Sequence, residues 1–331
     1  MRNLLAVVLA VLLCITGCSS KDRAADPMSA WNDVAAKDSI TEFVKKVTTE
    51  GTPGFVAPED RVAVFDNDGT LWAEAPLPFQ AAFVIDELKR RAPQEPALAA
   101  DPMVKAALDG DVAALLAGDR HEGLLRVLAL THTGMTTDEF NQRVTDWMAT
   151  ARHPLFDRPY DQLTYQPQQQ LLNYLRDSGF RTYIVSGGGA DFMRVFSQRV
   201  YGIPPEQVVG STGTTRYELR DGKPVLVKTL DYVFVDDKTG KPSGIHEFIG
   251  RRPILAVGNS DGDQAMLEYT TIDNPRPSLG VLIHHTDADR EYAYDANPPS
   301  SGKLVTALQA AEPNGWTVVD MKNDWKSVFS Q

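Results

Sequence analysis

VAVFDNDGTLW, residues Val62 to Trp72, decides how this chain is read. The four apolar residues Val62 to Phe65 fit a strand buried on both faces, the kind found in parallel sheets. Two carboxylates one residue apart, Asp66 and Asp68, follow at once, and Gly69 permits the sharp turn that ends the segment. Both acids are therefore expected at a strand's carboxyl end. The letters DNDGT also suggest a calcium loop. With Gly69 at its sixth position, however, such a loop would start at Val64, which cannot ligate, and finish at Ala75, where a glutamate is needed.

Working outward, residues 31–49 place Ile40, Phe43, Val44 and Val47 at helical spacing. After the strand at 61–65 comes a long stretch of helical patterns, Phe79 to Arg91, Met103 to Ala117, His121 to Leu130 and Thr137 to Ala151, the last opened by Thr136-Thr137-Asp138-Glu139. From Pro167 the pattern alternates: a helix to Asp177, a strand Arg181 to Val185, a helix from Asp191 and a short strand at Val208. A hairpin Thr214 to Leu219 and Pro224 to Thr229 turns at Asp221-Gly222. Then follow a helix from Ser243, strand Pro253 to Val257, a helix from Gln264, strand Leu279 to Ile283, helix Lys303 to Ala311, strand Trp316 to Val319 and a terminal amphipathic helix. The expectation is an α/β fold with a Rossmann-like, doubly wound, mostly parallel sheet, and an α-helical insertion after the first core strand. The core covers 29–75 and 161–331, and the helical insertion covers 76–160.

Three strands end in unusual chemistry: Asp66-Asn67-Asp68-Gly69-Thr70, Ser186-Gly187-Gly188-Gly189, and Gly258-Asn259-Ser260-Asp261-Gly262-Asp263. In a parallel sheet these ends share one edge. Asp66 is placed to attack phosphorus as a carboxylate nucleophile. Asp68 returns to the same side of an extended segment and can move the proton. Two acids this close call for a hard cation with oxygen ligands, and Mg2+ fits. Its candidate ligands are Asp66, Asp68, Asn259 and Asp263, with Asp261 a rival to Asn259. Ser186, Gly187 and the amides of the glycine run can cradle phosphate oxygens. Asn67 is a further candidate phosphate contact. A positive point charge is also wanted, supplied by Lys241 or by its competitor Lys238. His284 and His285 follow a strand, but no other histidine completes a zinc spacing, so they read as structural. Trp72 reads as a wall beside the site, and Trp316 and Trp325 as core.

The chain has 331 residues, 43% hydrophobic and 23% charged, enough for a substantial core. Its formal net charge of -11 argues against a nucleic-acid partner. Arg2 and the apolar run Leu4 to Ile15, too short to span a bilayer, make residues 1–17 a secretory signal. Ile15-Thr16-Gly17-Cys18 resembles the bacterial lipobox, which implies a lipid on Cys18 and a tether over 18–28. Cys14 and Cys18 are the only cysteines, so the mature chain would carry one thiol, at its first position. Ser19 in place of an aspartate points to the periplasmic face of the outer membrane.

The strand-end motifs resemble those of the haloacid dehalogenase superfamily, in its phosphoserine-phosphatase-like branch. The resemblance rests on Asp66 to Thr70, on Ser186-Gly187, on Lys241 and on Gly258 to Asp263. It implies Asp66 as nucleophile, Asp68 as acid/base, Ser186 and Lys241 as phosphate ligands, and Mg2+ held by Asp66, the Asp68 carbonyl and the fourth motif. The insertion looks like that branch's C1 cap, in which Glu74 would contact substrate. The chain departs from the family at Asn259, where aspartate is usual, and weaker Mg2+ binding is expected from that change. The resulting expectation is an exported phosphomonoester hydrolase acting through an aspartyl-phosphate on a small phosphorylated substrate. The alternatives are a phosphotransferase of the same superfamily and a catalytically silent lipoprotein that binds phosphorylated ligands.

Overall fold

The structure, a computed structural model, describes residues 26–115 and 122–330. The expected signal sequence and the lipid-bearing Cys18 lie outside them. Seven strands form one sheet: β1 (Val62–Phe65), β2 (Arg181–Gly189), β3 (Val208–Arg220), β4 (Lys223–Phe234), β5 (Leu255–Gly258), β6 (Leu279–His284) and β7 (Thr317–Asp320). Their order is β4-β3-β2-β1-β5-β6-β7. Only β3 and β4 pair antiparallel; every other neighbouring pair is parallel.

The first strand explains the architecture. All four of its residues are fully buried. Ala63 and Phe65 pack into one apolar cluster, Val62 and Val64 into another on the opposite face. A period of two with both faces apolar is what helices on both sides of a sheet require. Burying each valine or phenylalanine contributes about 1.5–3 kcal/mol against the entropy of ordering the chain. The chain also reverses its direction of winding at β1, laying β2 and β3 on one side and β5 to β7 on the other. Doubly wound sheets hold their ligands at such a switch point, beyond the carboxyl ends of the strands.

Between β1 and β2 lie the helices Phe79–Arg91, Pro96–Ala100, Pro102–Asp109, Val112–Leu115, Glu122–His132 and Thr137–Thr150, followed by Gln166–Asp177, which leads into β2. The helix Thr137–Thr150 begins with a reciprocal cap, in which the Thr136 hydroxyl accepts from the Glu139 amide and the Glu139 carboxylate from the Thr136 amide. Aromatic rings fasten these helices to the sheet. Trp72 stacks on Phe196 at 4.5 Å and meets Phe79 at 4.5 Å, and Phe79 in turn meets Tyr160 edge-on at 4.5 Å. The hairpin also takes part, since Lys228 donates its amide to Met135 at 2.9 Å and accepts from Gly134 at 3.0 Å.

The structure differs from several sequence-based expectations. The strand at Val208 and the hairpin's first arm form one continuous strand, because Gly210 and Gly213 pass so close to Met193, Gly188, Leu230 and Thr229 that no side chain needs to break the ladder. The glycine run Gly187 to Gly189 is the end of β2, with a register shift against β3 between Ser186 and Gly189. The helix expected over 103–117 is divided at Gly110, which takes a left-handed conformation at φ 75°. The terminal amphipathic helix is a single turn, Met321–Asp324, nucleated by the Asp320 carboxylate on the Lys322 and Asn323 amides. Beyond it Trp325 and Val328 pack into the core in irregular backbone, so tertiary burial overrides helical spacing. Among the described residues no helix is long and apolar enough to cross a membrane.

Candidate active site

Strand register brings the three chemical ends together. Phe65 pairs with Ile184 of β2 and with Val257 of β5, which sets Asp66 beside Val185 and Gly258. The Asp66 amide continues the ladder by donating to the Val257 carbonyl at 2.9 Å. Gly69 then turns the chain at φ 72°.

Lys241 binds these ends into one centre. Its side chain is fully buried, and its Nζ donates to Asp66 Oδ1 at 2.7 Å, Asp263 Oδ1 at 2.6 Å and the Val185 carbonyl at 2.9 Å. The ammonium thus has an acceptor for each of its three protons, as a buried charge requires. Burial works against the ammonium, but the charges of Asp263 and Asp66 outweigh it and hold its pKa above the usual lysine range. Lys238, its competitor in the sequence, lies exposed.

Asp263 is saturated. Its Oδ2 accepts from the Asn259 amide at 2.9 Å, the Ser260 amide at 3.0 Å and the Ser260 hydroxyl at 3.1 Å. That geometry holds the turn after β5 and presents Lys241, and it leaves the carboxylate little capacity for direct metal ligation. Asp261 is also occupied, its Oδ1 accepting from the Val305 and Ala307 amides at 2.8 and 3.0 Å. Its carboxylate is thus engaged with the start of the helix Thr306–Ala311, whereas Asn259 Oδ1 accepts from the Thr70 hydroxyl at the end of β1.

Burial and like charge raise the carboxyl pKa values. Asp66 is pushed well above the carboxylate range by burial and by the charge of Asp263, against the pull of Lys241. Asp68, enclosed by protein though partly accessible, is pushed up to about 7, by burial first and then by the charge of Glu74, while the Trp72 indole and Lys241 oppose. The Trp72 Nε1–H donates to Asp68 Oδ1 at 2.6 Å, so this residue does more than wall the site. It orients the second acid.

On β2, Ser186 is buried and its Oγ accepts from the Gly188 amide at 3.2 Å, while Gly187 is exposed at the edge. An ideal Cβ on Gly188 would lie 3.6 Å from Asp68 Oδ2, so the glycine run borders the acid pair. Gln80, at the start of the helix Phe79–Arg91, accepts from the Gly189 amide at 2.7 Å and ties the helical segment to this run. Asn67 is buried, and among the described residues its Oδ1 has no hydrogen-bond partner. His285 has the structural place expected of it, with Nε2 2.7 Å from the Gly69 carbonyl and Nδ1 3.0 Å from Glu291 Oε2.

Glu74, cast as a substrate contact, is placed inside the core. It is 3% exposed, and its two oxygens accept from Asn259 Nδ2 at 2.7 Å, the Tyr294 hydroxyl at 2.8 Å and the Ser301 hydroxyl at 2.5 Å. The sequence carries no signal for Tyr294, Ser301 or Gln80, which act across 220, 227 and 109 residues. Asp236 is likewise unannounced: it is fully buried beside Lys241, neither oxygen has a well-formed hydrogen bond among the described residues, and burial pushes its pKa to about 7.

A cation would find oxygen ligands here. Among the described residues no three His, Cys, Asp or Glu side chains are gathered closely enough to hold a metal alone. The available set is the Asp66 carboxylate, the Asp68 carbonyl and Asn259 Oδ1, which accepts from the Thr70 hydroxyl at 3.0 Å. These are all hard oxygen donors, and they fit a hard divalent cation completed by water.

A parallel sheet with acids and a buried lysine gathered at three adjacent strand ends defines a doubly wound α/β enzyme. The family model described as haloacid dehalogenase-like hydrolase matches residues 63–268, more than half of the chain, and the protein belongs to that family. No curated protein matches it. Among solved structures it is similar to a conserved protein of unknown function from Anaerococcus prevotii DSM 20548 (TM-score 0.51, 16% identity, covering 85% of this chain and 90% of that one). It is also similar to a phosphoserine phosphohydrolase-like protein from Francisella tularensis subsp. tularensis SCHU S4 (TM-score 0.40, 18% identity, 67% and 87% covered). A third is phosphoserine phosphatase from T. onnurineus (TM-score 0.35, 16% identity, 79% and 95% covered).

Proposed function

We propose that the protein is a Mg2+-dependent phosphomonoesterase that passes the phosphoryl group through Asp66. The observation that carries this reading is the buried Lys241 joining Asp66 and Asp263 at 2.7 and 2.6 Å, at the switch point of the sheet. Lys241 fixes Asp66 Oδ1, which leaves Oδ2 to attack phosphorus, and its charge faces the oxygens of the arriving phosphoryl group. A new bond forms between the Asp66 carboxylate and phosphorus as the ester P–O bond breaks. The protonated Asp68 gives its proton to the departing alkoxide, and the Trp72 indole keeps that carboxyl aimed. Asp68, now ionised, takes a proton from water as the water attacks phosphorus, and Asp66 is released with inorganic phosphate. Ser186 and Gly187 hold the phosphoryl oxygens, while the Gly188 and Gly189 amides, donated to Ser186 and Gln80, fix the shape of the run. Mg2+, held by Asp66, the Asp68 carbonyl and Asn259, would supply charge neutralisation between the two anions.

Residues 76–160 act in this reading as a C1-type cap that selects the substrate, a small phosphorylated molecule. Residues 1–17 direct export, and a lipid on Cys18 anchors the enzyme at the periplasmic face of the outer membrane. Asp66→Asn should lower turnover of p-nitrophenyl phosphate by about 10³-fold or more while the circular dichroism spectrum stays that of the unaltered protein. Activity retained within about tenfold in a folded Asp66→Asn protein would overturn the assignment.

A further inference from the structure

The neutral Asn259 would by itself leave the proposed cation site one negative charge short. The structure places a carboxylate directly on it. Glu74 Oε1 accepts the Asn259 Nδ2–H at 2.7 Å, and Glu74 takes two further hydrogen bonds from the hydroxyls of Tyr294 and Ser301. Three donors on two oxygens is the pattern of an acceptor-only carboxylate. It also fixes the amide orientation: the nitrogen of Asn259 must face Glu74, so the oxygen faces Thr70 and the end of β1.

The backbone is shaped to admit this pair. A Cβ on Gly69 would lie 2.2 Å from Asn259 Nδ2 and 2.3 Å from Glu74 Oε1, and one on Gly302 would lie 2.2 Å from that same oxygen. Both glycines are also in the left-handed region, at φ 72° and 83°. Two separate loops thus give up side-chain volume at one carboxylate. A glutamate needed only to tether the loop over 294–302 could accept from Tyr294 and Ser301 without reaching Asn259.

We infer that Glu74 is a positioning residue for the cation: together with Asn259 it acts as a divided aspartate, with the ligating oxygen on one residue and the charge on the other. Glu74 orients the amide and polarises it, so Oδ1 presents more negative charge than an isolated asparagine would. The inference rests on the proposed Mg2+ site and predicts tighter binding than Asn259 alone suggests.

The test is calorimetric titration of the metal-free protein with MgCl2, with thermal unfolding as a second readout. Glu74→Gln keeps the volume and removes the charge, and it should weaken Mg2+ binding about tenfold or more. Adding Asn259→Asp to Glu74→Gln returns charge to the ligating residue and should restore affinity to within about threefold of the unaltered protein. Asn259→Asp alone sets two carboxylates against each other, so the metal-free protein should lose stability and Mg2+ should raise its Tm by more than it raises that of the unaltered protein. Glu74→Gln affinity within about twofold of the unaltered protein would overturn the inference and leave Glu74 as a loop tether. If Glu74→Gln does not fold, Asn259→Asp decides alone, and a Mg2+-induced Tm rise equal to that of the unaltered protein overturns the inference. An unaltered protein that takes up no Mg2+ overturns the functional reading beneath it, a result distinct from either.

Discussion

At the scale of single residues, the site is an excess of buried carboxylates around one lysine. Asp66, Asp263, Glu74 and Asp236 are all buried, and Lys241 pairs directly with the first two. Asp236 shows the cost most clearly, because among the described residues neither of its oxygens has a well-formed hydrogen bond in return for burial, and the Ser186 amide only weakly opposes the rise. Its pKa is raised from 3.8 to about 7, by burial first and then by Asp237, with Lys241 opposing. The folded protein therefore keeps a proton that the unfolded chain releases between those two values. That contribution to stability is fully present below the lower pKa and is lost as pH rises through the upper one. Replacing Asp236 with asparagine removes this dependence. Urea unfolding should find Asp236→Asn matched to the unaltered protein at about pH 4 and more stable by up to about 4 kcal/mol at about pH 8. A difference that does not change with pH would show that Asp236 is not the strained group. The acids of the first and fourth motifs were legible in the sequence, since each group follows an apolar run, and Lys241 was legible as a cation at the start of the helix ahead of the strand at 253–257. Asp236 was not: next to Asp237 and Lys238 it reads as part of a solvated loop, and its burial depends on how the end of β4 folds back against β2 and Gly244.

At the scale of elements, the strands of the parallel core announced themselves through continuous apolar runs, and the helices between β1 and β2 through their spacing. The one cap written plainly in the sequence is Thr136 with Glu139, and it forms in both directions, at 3.1 and 2.7 Å. Thr136→Ala should cost about 1 kcal/mol, read as a fall in the urea midpoint with an unchanged slope. A larger loss would mean that the cap also holds in place the backbone bridge from Thr136 to Val227 of β4. That bridge belongs to what the sequence did not disclose. The hairpin's outer arms look like an independent excursion, yet Lys228 sits over the Phe140 ring at 4.6 Å and pairs with Asp191 just after β2. Such contacts join segments about 37 to 88 residues apart, and no local period encodes them. The C-terminal segment failed for the same reason, its spacing suggesting a helix while Trp325, against Trp31 and Tyr165, holds the chain in irregular backbone.

At the scale of the whole molecule, the sheet's winding order produces the site. Because β1 lies between β2 and β5, one strand end receives the glycine run from one side and the acidic turn from the other, and Lys241 arrives from the helix ahead of β5. The alternation of elements was enough to read this convergence from the sequence. The placement of Glu74 on Asn259 was not, since it depends on two glycines in separate loops and on Tyr294 and Ser301 arriving from beyond β6. The central claim is that the Asp66 carboxylate becomes bonded to phosphorus. Acid-quenching the enzyme during turnover of a phosphomonoester, reducing with borohydride and sequencing the peptides by mass spectrometry tests it directly. The account predicts homoserine at position 66, formed from the acyl phosphate and absent without substrate. Steady turnover with no modification at position 66, or an acyl phosphate on a different acid, would contradict it.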